Sequence, residues 1–162
     1  MTIAEIYLRE FDSEMEATRR LLDRLPSDRL DWTPHPKSRS LGQLATHIAE
    51  LPRWGLRIEG TSWAVGSEKA PALNTAAEFL TRFDENVRAG RASIAAKTDG
   101  QLRERLTVTR EGKTFFEMPK VSILRRVLLN HLIHHRGQLT VYLRLNGVAL
   151  PAIYGPTADE PL

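Results

Sequence analysis

The chain contains no cysteine. Disulfides, thiolate metal ligands and a cysteine nucleophile are therefore excluded, and any bound metal must be held by nitrogen and oxygen. No apolar run approaches the length of a membrane span. The N-terminal "MTIAEIYLREFDSEME" carries acids early, where a secretory signal would place an apolar core. A cytoplasmic protein without membrane association is expected. Charge of one sign is not in large excess either: 23 Lys and Arg against 20 Asp and Glu leave a formal charge of +3. Basic and acidic residues are interspersed, without a basic stripe or a helix-turn-helix pattern. Despite a pI near 9.5, a nucleic-acid partner is not expected, because a phosphate-tracking surface concentrates its basic residues on one face.

What remains is the profile of a globular protein, 41% hydrophobic and 27% charged over 162 residues. That length fits one domain, residues 1–162. Apolar residues at Ile3, Ile6, Phe11, Met15, Leu21 and Leu22 predict a first helix from Ile3 to Leu25, ended by Pro26. After a proline-containing loop, Ser40 reads as an N-cap. Leu44, His47, Ile48, Leu51 and Trp54 then share one helical face, and Pro52 kinks or ends that helix. Residues 60–74 read as a loop. "TAAE", Thr75 to Glu78, has capping-box spacing and opens a third helix with its stripe through Leu80, Phe83, Val87 and Ile94, ending near Asp99 and Gly100. "LTVTREGKTFFEM" reads as a short hairpin turning at Glu111-Gly112. A last helix runs from Val121 to about Leu145, closed by Asn146-Gly147. The expected fold class is all-α, a four-helix bundle with a small β-hairpin insert before the last helix.

The last helix carries "LLNHLIHHRGQL", with three histidines among leucines. Residues four apart on a helix share a face, their Cβ atoms about 6 Å apart. His131 and His135 have this spacing. His134 is also within helical reach of His131, but Val127, Leu128, Leu139 and Tyr142 extend the His131/His135 face inward. Two imidazoles make a weak site, and a catalytic zinc site commonly has three protein ligands plus water. The third candidate is His47, on the apolar stripe of the second helix. A lone histidine on an apolar face is more often a hydrogen-bonded core residue than a ligand; the three together on two inward faces point to a metal. His35, between two loop prolines, reads as a surface residue. Glu50 sits either near the site or, the favoured reading, in solvent. Gln138 either hydrogen-bonds a ligand or bound water or is a polar residue at the bundle end. Arg136 reads as an ion-pairing residue, Tyr142 as pocket or core, and Trp32 and Trp54 as core or interface residues that could also line a pocket mouth.

"DWTPHPKSRSLGQLATHIAEL" and "NHLIHHRGQLTVYLRLNGVALPAIYGP" closely resemble the two signature regions of the DinB-like superfamily, the DinB/YfiT-like metalloenzymes, over essentially the whole chain. The resemblance implies an up-down-down-up four-helix bundle holding a divalent metal, zinc or nickel, on His47, His131 and His135, with His134 unmatched to any ligand. It also implies a homodimer and a small-molecule substrate. Several relatives are thiol-dependent S-transferases or isomerases. The expected activity is a metal-dependent enzyme, a low-molecular-weight-thiol S-transferase acting on electrophiles; with no cysteine in the chain, the sulfur comes from a cosubstrate. The alternative is a non-catalytic stress-response protein whose metal is structural or sensory.

Overall fold

Short polar residues set where the helices begin. In a computed structural model that describes residues 1–66 and 71–161, Thr2 Oγ1 accepts from the Glu5 backbone N–H at 3.1 Å, and a Glu5 carboxylate oxygen accepts from Thr2 N–H at 2.7 Å. This reciprocal cap satisfies two orphan donors and opens α1, Ile3–Leu22. Its buried face runs through Tyr7, Leu8, Phe11, Met15, Leu21 and Leu22. Ile6, expected on that stripe, lies off it and is 57% exposed. Ser40 and Gln43 form the same device before α2, Leu41–Glu50. Pro52 ends the α geometry, as expected, and the chain continues as a 3-10 helix, Leu51–Glu59, with the proline in the first turn where its missing N–H leaves no gap.

Helix α3, Ala76–Ala95, starts at Thr75, which accepts from Glu78 N–H; the Glu78 carboxylate takes the Asn74 N–H, so the expected box closes only in half. Thr98 and Gln101 cap a separate short helix α4, Asp99–Arg103, which corrects the expectation of one helix reaching Asp99. α3 lies hard against the 3-10 segment. A Cβ on Gly90 would fall 2.2 Å from the Pro52 carbonyl oxygen, and one on Gly55 would fall 2.8 Å from Gly90 Cα. Only glycine permits this approach.

The hairpin forms from β2, Arg105–Arg110, and β3, Lys113–Pro119. Glu111 at φ 52 and Gly112 at φ 74 supply the two positive dihedrals of a two-residue turn. It is not isolated. A third strand β1, Ser62–Ala64, pairs parallel to β2 and gives a mixed sheet of order β1-β2-β3. The expectation of an all-α chain with a two-stranded insert, and of a loop over 60–74, is corrected accordingly; residues 67–70 of that loop lie outside the described residues. β1 is three residues long, too short to show alternation, and its partner is reached only across α3 and α4, the long crossover that parallel pairing needs.

The last helical run is α5, Lys120–Ile123, a π-helical segment Leu124–Leu129, and α6, Asn130–Leu145. Its end is closed by Gly147 at φ 73, with Gly147 N–H on the Arg144 carbonyl and Val148 N–H on that of Leu143, a Schellman motif. Leu44 and Ile48 of α2, Phe79 and Phe83 of α3, and Leu128, Leu132 and Leu139 of the last run belong to one hydrophobic core. Trp63, Leu106, Val108 and Ile123 form a smaller cluster under the sheet, and Trp54 packs against both. The protein is thus mostly helical with a small mixed sheet. Among the described residues no helix is long and apolar enough to cross a membrane.

Candidate metal centre

Helix α2 places His47 among Leu44, Ile48 and Leu51, all fully buried or nearly so. The π-helical turn delivers α6 with His131 and His135 facing it. His131 Nε2 lies 2.8 Å from His135 Nε2 and 3.3 Å from His47 Nε2. The His47 and His135 ring centroids are 4.6 Å apart. The structure therefore brings together the three histidines singled out in the sequence. His134 stays exposed, edge-on to His135 at 4.9 Å, and His35 is exposed on its loop, its Nδ1 accepting from Lys37 N–H.

The outer nitrogen of His135 fixes its tautomer. His135 Nδ1 is 2.7 Å from Gln138 Oε1, an oxygen that only accepts, so the ring proton sits on Nδ1. The Val127 carbonyl, one helical turn before His131, favours the protonated form of its ring. The His131 and His135 Nε2 atoms meet at 2.8 Å, a spacing that a shared cation would bridge. Metal–nitrogen bonds of about 2.0–2.1 Å separate two ligands by roughly 2.9–3.4 Å between right-angled and tetrahedral geometry, close to the two distances found. Protonation is a poor alternative. Burial first, then the Arg39 guanidinium and the other two rings, pull the His47 pKa down to about 3. Burial and His135 pull His131 down to about 4 against the opposing bond to Val127. Burial lowers His135 as well, opposed by Gln138. The cluster could hold a metal ion, and among the described residues no carboxylate or further histidine joins it.

The surroundings are partly those expected. Trp54 walls the site, its ring 5.3 Å from His131, 6.1 Å from His47 and 5.0 Å from Trp63. Trp32 packs edge-on against Tyr142, whose hydroxyl donates to the Arg39 carbonyl at 3.3 Å. Gln138 orients a candidate ligand rather than ending a bundle. Arg136 is an ion-pairing residue, 2% exposed, with its guanidinium 2.6 Å from the Glu14 carboxylate and bonded to Thr18, the Glu14 carbonyl and the Tyr154 hydroxyl. Glu50 is not a solvated acid, as favoured from sequence; it pairs with Arg82 and accepts from Asn86. Arg39 was missed, because it lies in a proline-rich loop without periodicity. A cavity of about 680 Å³ opens beside His47, lined among others by Arg39, Gln43, Thr46 and Glu50, a size that admits small molecules.

A model of the DinB family matches residues 1–161. The chain is 31% identical over 161 residues to the uncharacterised protein YrdA of Bacillus subtilis (strain 168), covering 95% of this chain and 89% of that one. It resembles the crystal structure of a DinB-like protein from Bacillus cereus ATCC 10987, with a TM-score of 0.75 and 28% identity, over 93% of this chain and 97% of the other. A DinB-like protein from Bacillus subtilis, 18% identical with a TM-score of 0.69 over 96% and 99% of the two chains, shares the fold.

Proposed function

The chain belongs to the DinB family, and on that premise we propose a metal-dependent enzyme in which His47, His131 and His135 hold a divalent cation, zinc or nickel. The observation that carries this is the convergence of the three imidazoles, with His131 Nε2 2.8 Å from His135 Nε2 and 3.3 Å from His47 Nε2. Imidazole donors suit both metals. A structural zinc site is closed by four protein ligands, whereas three leave room for a reactant. A divalent ion here supplies Lewis acidity and favours the deprotonated form of a thiol or water at neutral pH.

The chain's own residues do the rest. Gln138 holds the His135 ring in the ligating tautomer, Trp54 packs against the His131 and His47 rings, and the cavity beside His47 admits the reactants. Sulfur must arrive on a cosubstrate, so the reading is an S-transferase joining a low-molecular-weight thiol to an electrophile. The same premise orders α1, α2, α3 and the last helical run as an up-down-down-up four-helix bundle, supported by contacts of α1 and α2 with both α3 and α6.

Elemental analysis of protein purified without a histidine tag, beside His131→Ala, tests the site. Zinc or nickel is expected in the natural chain and little in the variant, while the metal-free forms unfold at similar temperatures. A natural chain without bound metal sinks the proposal. Loaded protein that neither binds a thiol nor consumes it with a model electrophile removes the transferase.

A further inference from the structure

The cavity beside His47 holds a feature that cation binding alone does not require. Arg39, immediately before the N-cap Ser40, lines it together with His47. Its backbone is pinned by the Tyr142 hydroxyl on its carbonyl. Its guanidinium makes no ion pair or hydrogen bond among the described residues. Yet it shares a cavity wall with His47, whose pKa its positive charge helps to lower.

A guanidinium so placed repels a metal ion. A site built only to retain the metal would do better with an acid there. The placement suits a ligand of opposite sign, drawn at once by Arg39 and by a cation on the imidazoles. The planar fork of arginine matches the geometry of carboxylate and phosphate oxygens. Acids share the cavity but do not occupy this cation: Glu50 is paired with Arg82, Asp28 lies 3.7 Å from Arg29, and Asp31 is exposed and beyond ion-pair distance of Arg39. Thr46 and the amide N–H groups of Gln43, whose oxygen caps Ser40, line the cavity and offer hydrogen bonds to the remainder of a polar molecule.

Resting on the three-histidine metal reading, we infer that the cavity takes a small molecule bearing an oxyanion group, carboxylate or phosphate, and that Arg39 is the residue that selects it. The competing role for Arg39, keeping the imidazoles unprotonated, predicts no effect on anion affinity at neutral pH.

The test uses the full chain as the natural protein, Arg39→Gln and Arg39→Lys, each with its zinc content measured. Arg39 is exposed and its pinned atom is a backbone carbonyl, so all three should fold. Zinc-loaded and metal-free forms are titrated with sodium acetate, sodium phosphate and neutral acetamide, following tryptophan fluorescence, to which Trp54 beside His131 is sensitive. The natural protein should bind acetate or phosphate and not acetamide; which anion binds identifies the class. Arg39→Gln should weaken that binding about 10- to 100-fold, the scale of a charged hydrogen bond, with Arg39→Lys in between and zinc content unchanged. Equal anion affinity in the natural protein and Arg39→Gln, or no anion binding by either form of the natural protein, overturns the inference. Failure to bind zinc sinks the metal reading separately, because the metal-free titration still decides whether Arg39 holds the anion.

Discussion

Nε2 of His131 lies 2.8 Å from Nε2 of His135, and the His135 ring commits its Nδ1 proton to Gln138 Oε1 at 2.7 Å. Helical spacing sets the rings on one face, but it is the bond to Gln138 that turns the His135 Nε2 lone pair toward His131.

Gln138 should therefore matter without touching the ion. Gln138→Ala is expected to weaken zinc or nickel binding about 10- to 100-fold, the usual cost of removing a ligand's hydrogen-bond partner, while the melting temperature of metal-free protein stays nearly unchanged. Competition against a chromogenic chelator measures the first quantity. Undiminished affinity would show that packing alone fixes the rings.

The depressed histidines predict a pH dependence of metal-free stability. Folded pKa values near 3 for His47 and 4 for His131 lie below the unfolded value of about 6.5. Between pH 6.5 and about 4 the unfolded chain binds protons that the folded chain refuses. Stability contributed by these groups is thus complete above pH 6.5 and is lost as pH falls through that window. Urea midpoints of metal-free protein should drop from pH 7 to pH 5, and less steeply in His131→Ala. A flat profile would contradict the assignment.

Gly90 should be intolerant of any side chain. In Gly90→Ala the new methyl meets the Pro52 carbonyl oxygen at 2.2 Å, and the 3-10 segment carrying Trp54 must shift. A loss of about 1–3 kcal/mol is expected, the range for overpacking, together with weaker metal binding. Equilibrium urea unfolding checks it. Unchanged stability would mean that α3 and the segment separate easily.

Glu14 and Arg136 form a buried charged pair, 8% and 2% exposed. Glu14→Ala leaves the guanidinium uncompensated and should cost about 3–5 kcal/mol, whereas Glu14→Leu combined with Arg136→Met should cost far less. Chemical denaturation of the single and double variants decides; equal losses would argue against a net desolvation penalty.

Much of this was legible because it repeats along the chain. Leu44, His47, Ile48 and Leu51 lie on one α-helical stripe, and His131 and His135 are one helical turn apart, so both inward faces could be read directly. Glu111-Gly112 announced its turn because few residue pairs accept two positive φ angles. What stayed hidden depends on distance in space. β1 has three residues and a partner beyond two helices. Glu50 reads as a wet acid until Arg82 and Asn86 close on it, and Glu14 likewise until Arg136 arrives from α6. Ile6 fits an apolar pattern yet points outward, since periodicity locates a stripe only to within a neighbouring position.

The π-helical segment Leu124–Leu129 precedes His131 by two residues. One additional residue per wide turn retards everything downstream by roughly 100° relative to uniform α winding. Wound evenly from Lys120, the same side chains would carry both imidazoles around the cylinder and away from His47. The aim of the site is thus a matter of phase, stored in a local slackening of the coil rather than in the ligands themselves.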